Sequence, residues 1–368
     1  MNRFGENYAL QIIGASHGSV VGVIIEGLPV GLNIDIDDVQ KWLTRRKPGQ
    51  SKITTPRNES DQFFIETGLF QDRTNGQPLY AFVKNNDSKS KHYDDIKDIV
   101  RPGHADYPAF VKYKGFNDYR GSGSFSGRMT IGLVIAGAIA KQILMLKNIQ
   151  IKAYTKSIGH FESHFKTQLQ NNKIENFEDL NGVYENATRT AIQNDSDEFE
   201  NLILEKKKEG DSVGGIVECI IENLPVGVGE PFFDSIESKI AHMVFSIPAV
   251  KGIEFGSGFD APKMTGSEHN DIYQFDKETN RVFTETNNAG GILGGLSNGM
   301  PVVFRVAFKP TSSILKKQRT INKVTNEPAD LVVKGRHDPC IVPRAVPVVE
   351  CATACVILDL LLIGNNQY

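Results

Sequence analysis

Two stretches of the chain share one order of apolar and polar positions. SVVGVIIEGLPVG at 19–31 and SVGGIVECIIENLPVG at 212–227 each run through β-branched residues into Leu-Pro-Val-Gly. Such a run reads as a strand, and the Pro-Gly turn ends it. Helical periodicity follows in both places, over 35–46 and over 234–246, with Asp35 and Asp234 near the starts as caps or first-turn acids. Pro29 and Pro225 therefore mark two copies of a strand-turn-helix unit, one in each half. The duplication predicts one pseudo-symmetric α/β body spanning 1–368, with repeat units around 19–46 and 212–246; chance recurrence of a common turn is the alternative.

The two most apolar runs are 131–146 and 345–363. Periodicity predicts a long helix over 127–147, and Gly132, Ala136, Gly137, Ala138 and Ala140 would let other elements approach it closely. It belongs in the middle of a layered body. Lys141 and Gln142 interrupt the first run, and Glu350 and Asp359 the second, so both read as core helices and no membrane span is expected. Residues 160–210 are more polar and predict a peripheral helical excursion. NNDSKSKHYDD at 85–95 has the composition of a solvated loop.

The 368 residues are 40% hydrophobic, enough for a packed core, and the net charge of −3 is slightly acidic, so a locally positive segment points to a small anion more than to a nucleic-acid surface. MNRFGENYALQIIG lacks the apolar run of a secretory signal, so a cytoplasmic protein is expected. Cys219, Cys340, Cys351 and Cys355 form no CxxC pair. They read as buried, inert thiols, and no metal is expected.

Candidate chemistry is concentrated in 101–128, RPGHADYPAFVKYKGFNDYRGSGSFSGR. Arg101, Lys112, Lys114, Arg120 and Arg128 face only Asp106 and Asp118 there. GSGSFSG precedes the predicted 127–147 helix, so backbone N–H groups would converge on an anion, with Ser122, Ser124 and Ser126 as hydroxyl donors. The plain alternative is a flexible loop with a serine cap. GASHG at 14–18 ends a strand in a small-residue turn that presents Ser16 and His17, a site or a solvated histidine. RRKPGQSKITTPR at 45–57 carries Arg45, Arg46, Lys47, Lys52 and Arg57 without an acid, although basic residues closing a helix are partly explained by its dipole. NAGGILGGLSNG at 288–299, KPTSS at 309–313 and KGRHDP at 334–339 could cradle a second phosphate and bring a carboxylate beside a heterocycle. Neither a Rossmann nor a Walker pattern occurs. Two anion sites imply a phosphorylated substrate and a phosphorylated cofactor.

GASHG, RRKPGQSK, RPGHADY…DYRG, FSGR, EGDSVGG, NAGGILGG, KPTSS and KGRHDP stand in the order of the chorismate synthases, and the chain resembles that family over nearly its entire length. The resemblance implies a β-α-β sandwich with central helices between antiparallel sheets, and anti-1,4-elimination of phosphate from 5-enolpyruvylshikimate 3-phosphate. Reduced FMN is required without net redox change; NADPH serves where a member reduces its own flavin. It implies His17 and His104 as acids, one for the departing phosphate and one for the reduced flavin, and Asp338 as an aid to proton removal. Arg46, Lys52, Arg101, Ser126, Arg128 and Arg336 would surround the substrate. Arg46, Ser124, Phe125, Ser126, Ala249, Gly294, Lys309, Pro310, Thr311, Ser312, Ser313 and Arg336 would line the FMN site. A homotetramer is implied as well.

The chain departs from the commonest pattern at Ala15, where many members carry glutamate, at Ser122 and Ser124 in the glycine-rich turn, and at Lys52, where many carry arginine. Ala15 and Ser124 motivate a second reading, a non-catalytic relative that binds FMN or a phosphorylated metabolite. A general flavin oxidoreductase is a third.

Overall fold

The computed structural model describes every residue except 1, 56–58, 86–95, 168, 171–172, 279, 334, 336 and 366–368, and it omits the side chains of 170, 173, 364 and 365. The 85–95 loop therefore lies, apart from Asn85, outside the described residues.

Two five-stranded antiparallel sheets enclose a layer of helices. The first sheet is built from β1 (Arg3–Phe4), β2 (Ala9–Gly14), β3 (Val20–Glu26), β4 (Phe63–Thr67) and β5 (Leu79–Lys84), in the order β1-β2-β3-β5-β4. The second holds β6 (Gln150–Ile158), β7 (Phe161–Glu162), β8 (Gly215–Glu222), β9 (Val250–Phe255) and β10 (Val302–Phe308), in the order β7-β6-β8-β10-β9. The helices between them are α1 (Ile36–Arg46), α2 (Thr130–Met145), α3 (Ile236–Val244) and α4 (Val342–Asn365). Along the chain each half reads strand, strand, helix, strand, strand, helix: β2-β3-α1-β4-β5-α2, then β6-β8-α3-β9-β10-α4.

The repeat thus extends well beyond the two strand-turn-helix segments. TGLFQDRTNGQPLYAFV at 67–83 and GGILGGLSNGMPVVFRV at 290–306 each form a tight hairpin leading into the next sheet strand. Gln71 and Asp72 take positive φ (49° and 60°) where Gly294 and Gly295 do (62° and 90°). The NAGGILGG motif is accordingly the second half's copy of this hairpin. Glycine there relieves backbone strain that the first copy tolerates.

The central pair α2 and α4 pack against each other, α2 also against the first sheet and α4 against the second. Small residues permit this. A Cβ on Gly137 would lie 2.1 Å from the Cys351 carbonyl oxygen, and one on Gly132 would lie 2.9 Å from that of Gly22. Both helices are long and apolar enough to cross a membrane, over Gly127–Met145 and Val342–Ile363, yet 78% and 83% of those windows are buried inside the fold. Their acids find partners there: Asp359 accepts through Oδ1 from the backbone N–H groups of Glu6, Asn7 and Tyr8 at 2.8–2.9 Å, and Glu350 pairs with Lys141 and accepts from the Tyr184 hydroxyl at 2.9 Å. All four cysteines are buried and free.

Three sequence expectations change. Asp35 caps α1 through Oδ1, 3.0 Å from the Asp38 N–H, but Ser235, not Asp234, caps α3. Residues 160–210 are a mixed excursion of short strands, 3-10 turns and one helix, Gln193–Lys208, over a small core that includes Phe165, Phe177 and Leu180. The long helix begins at Thr130, preceded by a 3-10 turn at Gly127–Met129.

Candidate functional site

A cavity of about 570 Å³ opens where the amino-terminal ends of α2 and α4 meet. The carboxy-terminal exits of α1 and α3 complete it: Arg46 and Pro48 on one side, residues 245–251 on the other. The two exits are copies of one turn, with Gly49 at φ 77° and Ala249 at φ 75°. Two helix starts aim the positive ends of their dipoles at one volume, which favours an anionic occupant.

Three guanidiniums line this volume while nearly buried, Arg46, Arg101 and Arg128 at 3%, 6% and 8% exposure. Buried cations require partners. Asp61, 1% exposed, serves two of them: Oδ2 lies 3.2 Å from Arg46 Nη1 and Oδ1 lies 3.1 Å from Arg128 Nη1. Arg128 is also paired with Glu59, and its Nε donates to Asn85 Oδ1 at 2.6 Å. Asn85 in turn donates to the carbonyls of Ala15, Ser16 and Gly18, so the GASHG turn and Arg128 are fixed together. Burial, and then the neighbouring Arg344, lowers the Arg46 pKa to about 10 against the pull of Asp61.

Arg101 grips Asp106 with two bonds, Nε to Oδ2 at 2.8 Å and Nη2 to Oδ1 at 2.7 Å, and reaches the hydroxyls of Ser122 (3.1 Å) and Ser313 (3.4 Å). His104 lines the cavity with Nδ1 2.8 Å from Asp106 Oδ1. Burial alone would raise the Asp106 carboxyl, but the hydrogen bonds from Arg101 and His104 outweigh it and hold it well below the ordinary carboxylate range. Ser122 adopts φ 72°, a conformation that favours glycine, and its bond to Arg101 offsets that strain. The departure at 122 thus has a local compensation.

His17 sits one step back. It is not in the lining; its ring edge packs on Gly121, where a Cβ would fall 2.2 Å from Cδ2. Ser124, Phe125 and Ser126 do line the cavity, and Ser126 caps the turn into α2. Lys309, Pro310, Thr311, Ser312 and Ser313 form the facing wall with Ala249. That wall is tied to every neighbouring motif: Lys309 Nζ donates to the Gly103 carbonyl at 2.5 Å, Thr311 Oγ1 to that of Asp338 at 2.7 Å, and Ser212 Oγ to that of Thr311 at 2.7 Å. Burial, then repulsion from Lys251, lowers the Lys309 pKa. Asp338 is held by Arg344 and by the Thr55 N–H at 2.9 Å.

Not every expected residue arrives. Lys52 is exposed and outside the lining. Gly294 belongs to the hairpin described above and is also outside it. Arg336 lies outside the described residues. Lys112 and Lys114 are exposed away from the cavity, and Arg120 is engaged by Asp118 at 2.9 Å. Conversely, Glu59, Asp61, Asn85, Lys251 and Arg344 were not singled out from the sequence. Only Arg344 carried a local signal, a cation directly before the 345–363 apolar run.

The chorismate synthase family model matches residues 8–362. A chorismate synthase of Methanocaldococcus jannaschii is 46% identical over 370 residues, covering 99% of this chain and 97% of that protein. One of Christiangramia forsetii is 45% identical over 366 residues, covering 100% and 99%. A solved crystal structure of chorismate synthase superposes with a TM-score of 0.76 at 27% identity, covering 98% of this chain and 93% of the other.

Proposed function

The chain belongs to the chorismate synthase family, lyases of the shikimate pathway, and from that premise we propose that its cavity eliminates phosphate from 5-enolpyruvylshikimate 3-phosphate beside reduced FMN. The observation that carries the reading is the convergence of two helix starts, three buried arginines and His104 on one volume. A dianionic leaving group needs fixed positive charge as it departs, and preorganised guanidiniums supply it without reorganisation. Arg46 and Arg128, braced by Asp61, and Arg101, braced by Asp106, are held for that role.

The residues present fit a flavin mononucleotide. Ser312, Ser313 and Lys309 offer donors for its phosphate, and Ile247, Val250, Phe308 and Val348 give an apolar shelf for its ring. When bound, reduced FMN supplies the electron density that lets phosphate and a poorly acidic hydrogen leave with no net oxidation. His104 acts as an acid: Asp106 engages Nδ1, which leaves Nε2 for a ligand. His17, behind Gly121, is the second acid, and Asp338 assists proton removal while Arg344 and Thr55 fix its carboxylate. The same reading gives a cytoplasmic homotetramer, with NADPH as the reductant if the chain reduces its own flavin.

An anaerobic assay with purified protein, reduced FMN and 5-enolpyruvylshikimate 3-phosphate tests this. Chorismate should accumulate with catalytic flavin. No product at any protein concentration would reject it, and consumption of NADPH in step with product would replace it with an oxidoreductase.

A further inference from the structure

Arg344 stands between two cavities. Behind the one described lies a second, of about 320 Å³, walled by Arg45 in the last turn of α1, by Gln50 and Ser51 after it, by the turn holding Glu185 and Arg189, and by the first turn of α4. Apart from Arg344, no residue placed in the reaction lines it.

Its charge is unbalanced. The Arg45 guanidinium lies over two rings, 4.4 Å from the centroid of Trp42 and 3.9 Å from that of Tyr184. Arg189, 8% exposed, donates to the carbonyls of Tyr184 and Asn186 at 2.7 and 2.9 Å and to Gln50 Oε1 at 2.8 Å. All of these acceptors are neutral. Among the described residues neither guanidinium is paired with a carboxylate, and the one acid in the lining, Glu185, is exposed. Burial of cations without counter-charge is unfavourable unless an anion is supplied from outside. The Ser51 hydroxyl is a further open donor, buried with no hydrogen-bond partner. The start of α4 adds its dipole.

We propose that this cavity is a second anion site, separate from the reaction cavity, that takes a phosphate group between Arg45 and Arg189 with Ser51 Oγ as an additional donor. Two guanidiniums approaching from different elements suit a tetrahedral dianion, whereas a lone carboxylate would occupy one fork. The volume is at the small end of ligand pockets and admits free phosphate or the end of a compact ester, not a dinucleotide. The proposal does not depend on the reaction assigned to the larger cavity.

Trp42 is the chain's single tryptophan, so its emission reports on Arg45. Full-length protein is titrated with inorganic phosphate, and separately with glycerol 3-phosphate, at ionic strength held constant with chloride. The expected result is a saturable change in Trp42 emission that persists in R128Q, altered in the reaction cavity, and weakens about tenfold or more in R189Q. Because Arg189 also braces its own turn, Ser51→Ala provides a milder variant, with about threefold weaker binding expected; calorimetry reads Arg45→Gln, where the reporter itself changes. A tighter response to inorganic phosphate assigns the free anion and a tighter response to the ester assigns an ester end; both support the site. A change that tracks ionic strength alone overturns it. So does binding lost in R128Q, or binding unaltered in both S51A and R45Q.

Discussion

Nδ1 of His104 lies 2.8 Å from Oδ1 of Asp106, and the same carboxylate receives three bonds from Arg101, two from the guanidinium and one from the backbone N–H. The carboxylate fixes the imidazole and stays ionised. His104→Ala should cut turnover about a hundredfold or more, the usual scale of acid-base catalysis, with the fold intact by circular dichroism. Asp106→Asn should destabilise the chain by about 2 to 4 kcal/mol, since it leaves Arg101 buried beside a neutral amide. A carboxyl whose folded pKa is depressed contributes stability fully above its unfolded value of about 3.9, and loses it as pH falls through the folded value. The stability gap between wild type and D106N should therefore be flat from about pH 5 to 7 and shrink below about pH 4. Denaturant melts across that range check it; a gap that grows on acidification contradicts the depressed pKa.

Gly121 is required by His17 more than by its own turn. A Cβ there would sit 2.2 Å from Cδ2 and 2.5 Å from Nε2 of the imidazole. Gly121→Ala should displace His17 and lower kcat about tenfold or more, on the usual scale of acid-base catalysis. The stability cost should be no larger than that of G123A, where the Cβ meets the Asp118 carbonyl oxygen at 2.5 Å. Wild-type kcat in G121A would remove His17 from the reaction.

Asp61 joins Arg46 to Arg128 from a backbone at φ 45°. Asparagine tolerates that conformation, so Asp61→Asn isolates charge from backbone strain. It leaves both arginines short of one counter-charge and should cost about 3 to 5 kcal/mol. Thermal unfolding reads the stability, and KM reads the loss of aim. A Tm within error of wild type would show that Glu59 alone suffices for Arg128.

Asp61 also shows why part of the site was not legible in the sequence. The cations were visible because Arg46, Arg101 and Arg128 lie in or beside glycine- and proline-rich segments, where most of the charge has no packing reason. Asp106 was visible beside Arg101, but the acids of Arg46 and Arg128 were not, since Asp61 and Glu59 stand in an unremarkable polar stretch and act only once β4 is placed beside α1 and α2. The same limit explains Gly294. Its glycine-rich motif has the composition of a ligand cradle, but the register with Gln71 and Asp72 makes it one arm of a duplicated hairpin. The duplication was legible further, because a β-branched strand, a Leu-Pro-Val-Gly turn and a helix recur in both halves, whereas the sandwich order came from the family resemblance. His17 stood out by its turn, yet its distance from the cavity depends on the fold of 121–123, which no local pattern encodes.

The four thiols should be inert in the folded chain. Burial pushes Cys340 up to about 12 and raises Cys219, Cys351 and Cys355 as well. Only the thiolate reacts, so at pH 8 a disulfide reagent should label none of them within minutes and all four after denaturation. Rapid labelling of a native thiol would reveal local opening of β8 at Cys219, of α4 at Cys351 or Cys355, or of the segment before α4 at Cys340.

The duplicated turn makes a quantitative test of the pseudo-symmetry. Thr74 Oγ1 accepts from the Leu32 N–H at 2.8 Å and donates to the Pro29 carbonyl, while Ser297 Oγ accepts from the Val228 N–H at 2.9 Å and donates to the Pro225 carbonyl. Each hydroxyl is buried and pins one Leu-Pro-Val-Gly turn to the hairpin before its sheet strand. Removing either leaves a backbone donor and an acceptor unsatisfied, at a cost of about 1 to 3 kcal/mol. Thr74→Ala and Ser297→Ala should therefore destabilise by similar amounts. They share no partner, so the double variant should equal their sum within about 0.5 kcal/mol. Equilibrium unfolding of the four proteins closes the cycle. A coupling energy above about 1 kcal/mol, or a loss confined to one half, would mean that the two turns are alike in geometry without bearing equivalent load.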